Sequence, residues 1–141
     1  MKRLIAFSIG LMALTCWVSC SNKLSPEEQA AQAALSYYNR ILEGFPDGLQ
    51  AAKADDGNLP DDYRKQRHLT YHQFVNDIQR QHGGLQSISI SPNVARCDSI
   101  KAKDGQWQHV TYAFLLFMFR DSTQEEIVVP MVHQNGEWLL K

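Results

Sequence analysis

The most apolar part of the chain is its beginning. An uncharged and almost continuously apolar run extends from Leu4 to Val18, with Lys2 and Arg3 before it and small and polar residues from Ser19 onward. This order of charged, apolar and small residues is typical of a secretory signal. The run is too short to be preferred as a membrane-spanning helix. We therefore predict that the chain is exported.

A strong helix signal starts at Ser25. This residue can cap a helix, Pro26 suits the first helical position, and Glu28 completes a Ser-x-x-Glu capping box. Apolar residues then recur at three- and four-residue spacings and form one stripe. The members of that stripe are Ala30, Ala34, Tyr37, Tyr38, Ile41 and Leu42. Because Gly44 is a natural stop, the pattern predicts a first helix over residues 26–43.

A second helical region follows a polar loop. We expect one helical turn over residues 49–54, a separate short helix over 63–69, and then a longer helix that begins at Thr70. Thr70 and Gln73 have the spacing of a second capping box. The stripe of this longer helix is Tyr71, Phe74, Val75 and Ile78. Its expected end is Gly83–Gly84.

Strand patterns dominate after residue 85. Ile88 and Ile90 alternate with serines, and Pro92 predicts a bend or a bulge. The dipeptides Asp104–Gly105 and Asn135–Gly136 are two-residue hairpin signals. Further strands are expected over residues 94–101, 106–120, 124–133 and 137–140. Helices followed by a meander of strands indicate an α+β fold, with N-terminal helices packed on an antiparallel sheet.

The longest predicted strand is apolar on both faces in its second half. One face carries Val110, Tyr112, Phe114, Leu116 and Met118, and the other carries Leu115, Phe117 and Phe119. Because antiparallel sheets usually expose one face to water, we expect the first face to meet the helices and the second to need a cover. A homodimer through Leu115, Phe117 and Phe119 is one cover, and curvature of the sheet onto itself is another.

Charge and cysteine content restrict the function classes. Removal of the signal takes away Lys2 and Arg3, so the net charge falls from −1 to about −3. The remaining basic residues form no run or stripe, so nucleic acid is not an expected partner. Cys97 has no intramolecular partner once the N-terminal region is set aside. We expect an inert strand cysteine there, with a nucleophilic or redox thiol as the alternative.

One histidine pair has the spacing of a metal site. His68 and His72 are four residues apart, which can place two ligands on one helix face. However, no His-Glu-x-x-His pattern is present, and a helix break near Thr70 would separate the two rings. We therefore expect two solvated histidines, no metal and no cofactor.

The end of the apolar run resembles the lipobox of bacterial lipoproteins, because Cys20 directly follows a small residue there. The resemblance implies that Cys20 is lipidated and that the protein is anchored in the outer membrane, facing the periplasm or the surface. It divides the chain into a signal peptide (1–19), a lipidated tether (20–24) and a single domain (25–141).

The alternative lipidation position is Cys16. Trp17 stands where a lipobox around Cys20 usually has leucine, whereas Cys16 has Ala13 at that place. Cys20 is preferred because Ser19 is a better small residue at the cut and because Cys20 lies at the end of the apolar run.

The domain as a whole resembles the nuclear-transport-factor-2-like (NTF2-like) cone fold. The resemblance rests on a long first helix with the pair Tyr37–Tyr38, on shorter helices, and on a terminal hairpin, 132–141, that carries Asn-Gly, Glu and Trp. More narrowly, the chain is similar to small gram-negative lipoproteins of an uncharacterised family. The resemblance implies a curved sheet whose open end holds a small molecule, and we take Tyr38, Tyr112 and Phe114 as the ligand-binding candidates.

The fold resembled hosts both enzymes and binding proteins, so it does not select a function. Ketosteroid-isomerase-like catalysis needs a carboxylate base inside an apolar cavity, and the acids of this chain lie in loops, at strand ends or on a polar helix face. We therefore predict no catalytic residues and a non-catalytic role in binding a small apolar or amphipathic ligand or a partner protein. The alternative is a ketosteroid-isomerase-like periplasmic enzyme.

Overall fold

The computed structural model describes residues 23–44, 49, 53–54 and 60–141. The predicted signal peptide and Cys20 lie outside these residues, as does most of the turn expected over 49–54. Within the described part of the chain, no helix is both long enough and apolar enough to cross a bilayer.

Two helices and four strands follow one another in the described residues. They are α1 (Pro26–Leu42), α2 (Asp61–His82), β1 (Leu85–Lys101), β2 (Trp107–Phe119), β3 (Gln124–Gln134) and β4 (Glu137–Leu140). The strands form one antiparallel sheet in the order β1-β2-β3-β4. The helices pack on one face of this sheet, so the predicted α+β architecture is confirmed.

The start of α1 has the predicted capping box. The Ser25 hydroxyl accepts a hydrogen bond from the Glu28 backbone N–H at 3.2 Å, and the Ser25 N–H donates to the Glu28 carboxylate at 2.8 Å. These bonds satisfy N–H groups that a helix N-terminus otherwise leaves unpaired. The buried side of α1 is formed mainly by Ala30, Ala31 and Ala34, which are fully enclosed. Because these side chains are small, the helix axis can lie close to the sheet.

The second helix corrects the prediction of a break at Thr70. α2 is continuous over 22 residues, and the Thr70 hydroxyl donates at 3.0 Å to the carbonyl of Gln66 instead of capping a new helix. A threonine inside a helix can make this bond to the preceding turn without ending the helix. The predicted stop is confirmed at Gly83, whose φ of 71° is left-handed and whose N–H donates to Gln79.

Hairpin turns join β1 to β2 and β3 to β4, and the second has the predicted two-residue form. At the β3–β4 turn, Asn135 and Gly136 have φ angles of 51° and 83°, and a two-residue turn of type I′ needs positive φ at both positions. At the β1–β2 turn, the Ala102 N–H donates to the Gln106 carbonyl at 2.8 Å, so residues 103–105 form a three-residue loop. The predicted two-residue turn at Asp104–Gly105 was therefore wrong, because Gly105 has a positive φ and Asp104 does not.

The first strand is longer than predicted. The segments expected before Pro92 and over 94–101 form one strand, β1, with a register shift between Ile90 and Ala95. Pro92 therefore marks a bulge, as one alternative of the prediction stated. The Ser91 side chain in this bulge donates to the Glu126 carboxylate on β3, and Val94 has a φ of 54°.

The assignment of the two faces of β2 was wrong. Leu115, Phe117 and Phe119 face the helices and are almost fully enclosed. The Phe117 ring lies 5.8 Å from that of Tyr38 in α1 and 6.3 Å from that of Phe74 in α2. A homodimer cannot use the three enclosed side chains unless the helices move away. The residues half exposed on the opposite face are Tyr112, Phe114, Leu116 and Met118.

Candidate functional site

A cavity of about 430 Å³ opens between the two helices, the middle of β3 and the end of β4. We call it the cationic cavity. Its described lining residues are Tyr38, Lys53, Tyr63, Gln66, Arg67, Thr70, Tyr71, Val129, Pro130, Leu140 and Lys141. Its volume lies within the range typical of sites for small molecules.

One wall of the cationic cavity is a single face of α2. The residues that form this wall are Tyr63, Gln66, Arg67, Thr70 and Tyr71. Their spacings of three and four residues place successive side chains on one side of a helix. This wall exists only because α2 runs through Thr70 without a break. A helix break at Thr70 would point the first two helical turns of α2 in a different direction from Tyr71.

The floor of the cavity is apolar and its edge is held by backbone bonds. Val129 and Leu140 are buried beneath it. Beside β4, Lys53 pairs with Leu140 in a parallel bridge, and the Ala54 N–H donates to the Leu140 carbonyl at 2.7 Å. The Lys53 ammonium also donates to the backbone oxygen of Lys141. These contacts bring two lysines to the rim of an apolar surface.

Two tyrosines in the cavity remain neutral over a wide pH range. Burial raises the pKa of Tyr38 to about 12, and the neighbouring Tyr71 adds to the increase. Burial also raises the pKa of Tyr71, and the charge of Arg67 acts in the opposite direction. Both hydroxyls are therefore hydrogen-bond donors at neutral pH.

Arg67 is the group of the cavity with an unused hydrogen-bond donor. Its side chain is half buried, and its Nε is shielded from solvent without a hydrogen-bond partner among the described residues. The described lining residues include three cationic side chains and no Asp or Glu. A buried donor on a charged group is costly when it is unpaired. The cavity therefore has the chemistry to accept an anion.

The structure does not bring together the three predicted ligand-binding residues. Tyr38 lines the cationic cavity. Tyr112 and Phe114 lie on the opposite face of the sheet, and the Tyr112 ring has the Arg96 guanidinium 6.0 Å from its centre. The sequence reasoning missed Arg67, although the spacing Tyr63, Arg67, Tyr71 could have indicated it. The predicted break at Thr70 hid that spacing.

The described acids do not enter the cavity. Asp61, Asp62 and Asp77 are exposed on α2, and Asp55 and Asp56 lie outside the described residues. The His68 and His72 rings are 4.5 Å apart on the unbroken helix, so the prediction that a break separates them was wrong. Across the described residues, no group of three or more His, Cys, Asp or Glu has an arrangement that could hold a metal ion.

Comparison with known proteins concerns the fold. No protein-family model and no curated protein matches the sequence. Among solved structures, a Campylobacter jejuni protein named as an NTF2-like transpeptidase aligns with a TM-score of 0.55 and 12% identity, over 77% of this chain and 94% of that chain. Such a low identity supports a statement about the fold and about nothing else. Together with the two helices on an antiparallel sheet, it shows that the chain has an NTF2-like fold.

Proposed function

We propose that this chain is an exported lipoprotein, anchored in the outer membrane through Cys20, whose domain binds a small organic anion in the cationic cavity without catalysis. The observation that carries the proposal is the half-buried Arg67, whose Nε has no partner among the described residues. A carboxylate or sulfonate in the cavity can pair with the guanidinium of this half-buried arginine.

The shape and charge of the cavity define the kind of ligand. A guanidinium can bind a carboxylate through two parallel hydrogen bonds, and the hydroxyls of Tyr38 and Tyr71 add neutral donors. Val129 and Leu140 offer an apolar surface below these groups. The ligand that fits best is therefore amphipathic, with one acidic group and an apolar body such as an aromatic ring.

The binding test compares two probes of similar shape. Naphthoate carries a carboxylate, and naphthyl methanol is a neutral counterpart. Titration calorimetry on the purified processed chain is expected to show binding of naphthoate and much weaker binding of the alcohol. In Arg67→Met, naphthoate binding is expected to fall about ten- to hundred-fold, because a hydrogen bond to a charged group contributes about 1.5–3 kcal/mol.

The matched control is Arg80→Met, which removes the same charge from the same helix. Arg80 is exposed and pairs with Asp77 at 2.7 Å, away from the cavity. Its substitution is expected to leave naphthoate binding unchanged. Equal losses in both variants would show that only the net charge matters, and equal affinity for the two probes would refute the anion site.

The enzyme alternative has less support. A ketosteroid-isomerase-like reaction needs a carboxylate base beside the substrate, and no Asp or Glu side chain belongs to the described lining of the cavity. Turnover of a ketosteroid by the purified chain, lost on substitution of Asp55 or Asp56, would restore this alternative. The transpeptidase name belongs to the Campylobacter protein, which shares 12% of its sequence with this chain.

The anchor is tested separately from the ligand. Cys20→Ala is expected to leave the protein unprocessed or to move it out of the membrane fraction, because acyl chains supply the membrane affinity. Cys16→Ala is the control and is expected to behave as the natural chain. Unchanged membrane partition of Cys20→Ala contradicts lipidation there. Loss of partition in Cys16→Ala alone moves the site to Cys16.

A further inference from the structure

A second recess lies near the other end of α1. It has a volume of about 620 Å³ and is lined in part by Trp107, Gln108, His109, His133, Gln134 and Trp138. We call it the tryptophan cleft, and we propose that it binds a neutral saccharide. This inference goes beyond the anion site, because the two recesses have no described lining residue in common.

The cleft occupies the part of the sheet that the helices leave uncovered. Pro26 and Glu27, at the start of α1, form one side, and Tyr38 of the cationic cavity lies roughly 17 Å further along the helix. Side chains along a strand point alternately to its two faces. Trp107, His109 and Thr111 are therefore on the same face of β2 as Leu115 and Phe117, which pack against the helices. The cleft is therefore an extension of the same face beyond its helical cover.

The floor of the cleft offers side chains and not free backbone. β1 pairs with β2 from Cys97↔Thr111 to Lys101↔Trp107, and β3 pairs with β4 at His133↔Trp138. β4 is an edge strand, but at Trp138 the backbone carbonyl accepts a hydrogen bond from the Tyr37 hydroxyl at 2.7 Å. A peptide that binds by strand addition needs an unpaired edge. The paired floor makes such a peptide a poor occupant and leaves recognition to the side chains.

The aromatic side chains supply flat apolar surfaces. Trp107 is 70% exposed, which is a large exposure for the largest apolar side chain of the domain. Trp138 is half buried, and its ring centre lies 5.0 Å from that of His133. A sugar ring has an apolar face of C–H groups that can lie flat on an indole, and indoles commonly combine such contacts with a polar partner.

The polar side chains of the cleft match hydroxyl groups. Gln29 has an amide that can both donate and accept, and His133 offers ring nitrogens; a sugar hydroxyl can pair with either group. The Nε1 of Trp138 is shielded from solvent and has no partner among the described residues, so a ligand oxygen reaches this donor only if the indole ring shifts.

The charge of the cleft argues for a neutral ligand. Glu27 belongs to the described lining, whereas Lys, Arg and Asp do not. An anion is therefore disfavoured here, in contrast to the cationic cavity. A quaternary ammonium can also bind aromatic rings beside a carboxylate, but it makes no use of the Gln29 amide or of the imidazole nitrogens. These groups make the saccharide the better match.

Tryptophan fluorescence gives a test that is specific to this cleft. The chain has three tryptophans, of which Trp17 lies in the predicted signal, and Trp107 and Trp138 both line the cleft. We expect tri-N-acetylchitotriose or maltotriose, added to the processed chain, to shift the emission to shorter wavelength in a saturable manner. Trp107→Ala, followed by titration calorimetry, is expected to weaken binding by about ten-fold or more.

The control variant is Leu69→Ala, which removes another exposed apolar side chain (60% exposed) that lines neither recess. It is expected to bind the saccharide as the natural chain does. The proposal is overturned if neither trisaccharide binds, if Trp107→Ala binds normally, or if choline saturates the signal and the saccharides do not. Naphthoate binding and Arg67→Met report on the cationic cavity alone, so failure of one proposal is distinguishable from failure of the other.

Discussion

The two faces of β2 carry similar side chains but have different surroundings. Leu115 and Leu116 are neighbours in one strand, yet Leu115 is fully enclosed under the helices and Leu116 is half exposed on the other side. Towards the helices, aromatic rings from α1 and α2 pack around Phe117. On the other side, the cover is smaller and includes the Ser91 hydroxyl bonded to Glu126.

This difference places both candidate sites on one side of the sheet. The cationic cavity lies where α1, α2, the middle of β3 and the end of β4 meet, and the tryptophan cleft lies where that same side extends past α1. Helices on one face provide both a core and the walls of a recess. On the opposite face, Tyr112, Phe114, Leu116 and Met118 are half exposed, whereas Val110 and Val132 are buried.

The largest effect expected from this comparison is a difference between two leucine substitutions. Leu115→Ala is expected to lower the free energy of unfolding by about 3 kcal/mol, because it leaves a cavity in a filled core. Leu116→Ala removes the same atoms from a half-exposed position and is expected to cost about 1 kcal/mol or less. Denaturant unfolding followed by circular dichroism measures both. Equal losses would mean that the faces have been assigned incorrectly.

An alkaline titration sharpens the comparison at Tyr38, on the helix side. Burial raises the pKa of Tyr38 from 10.0 to about 12, so the folded state favours the protonated form. The associated stability is fully present below pH 10 and is lost as the pH rises towards 12. The loss amounts to roughly 3 kcal/mol at most, from about 1.4 kcal/mol per pKa unit.

The variant for this titration is Tyr38→Phe, which keeps the ring and removes the ionising hydroxyl. Its free energy of unfolding is expected to decline less steeply between pH 10 and 12 than that of the natural chain. Identical slopes in the two proteins would show that Tyr38 does not ionise with the cost that its burial implies.

The smallest expected effect is on acid stability, and it concerns the place where the end of α2 contacts the β2–β3 turn. There the His82 ring stacks on Phe119 at 4.1 Å, and its Nδ1 lies 2.8 Å from the Asp121 carboxylate. Hydrogen bonds from the side chain and backbone of Thr123, and then from His82, lower the pKa of Asp121 to about 2. The stability from this carboxylate is present above pH 3.8 and is lost as the pH falls to about 2.

Acid unfolding of Asp121→Asn and Thr123→Val checks this prediction. Asp121→Asn removes the titrating group, and Thr123→Val removes the main cause of the lowered pKa. Both variants are expected to show a weaker decline of stability between pH 4 and pH 2. A decline as steep as that of the natural chain in both would contradict the role of this carboxylate.

Local features were the most predictable from sequence. The Ser25–Glu28 capping box and the Asn135–Gly136 turn depend on residues three positions apart or adjacent, so the pattern contains every partner that matters. Thr70 shows the limit of this reasoning. A threonine hydroxyl can cap a helix or bond to the carbonyl four residues back, and only the surrounding helix determines which bond forms.

The candidate site was less predictable, because its residues come from separate elements. Tyr38 was identified from the first helix alone. Arg67 became meaningful only when α2 placed it beside Tyr71, opposite α1 and above the buried Val129 and Leu140. No spacing within one segment of the sequence contains that arrangement.

The sequence by itself therefore determined the capped start of α1, the stop at Gly83, the Asn135–Gly136 turn, the α+β class and the likeness to the NTF2-like fold. Only the tertiary structure decided which face of β2 meets the helices, because Leu115 and Leu116 are equally apolar and either face could bury the same area. It also decided that Arg67 and the tryptophans lie in separate recesses, of which only the first is lined by cationic Lys and Arg side chains. Hydrophobic burial is non-directional, so the choice between equivalent faces depends on how the helices fit the whole sheet.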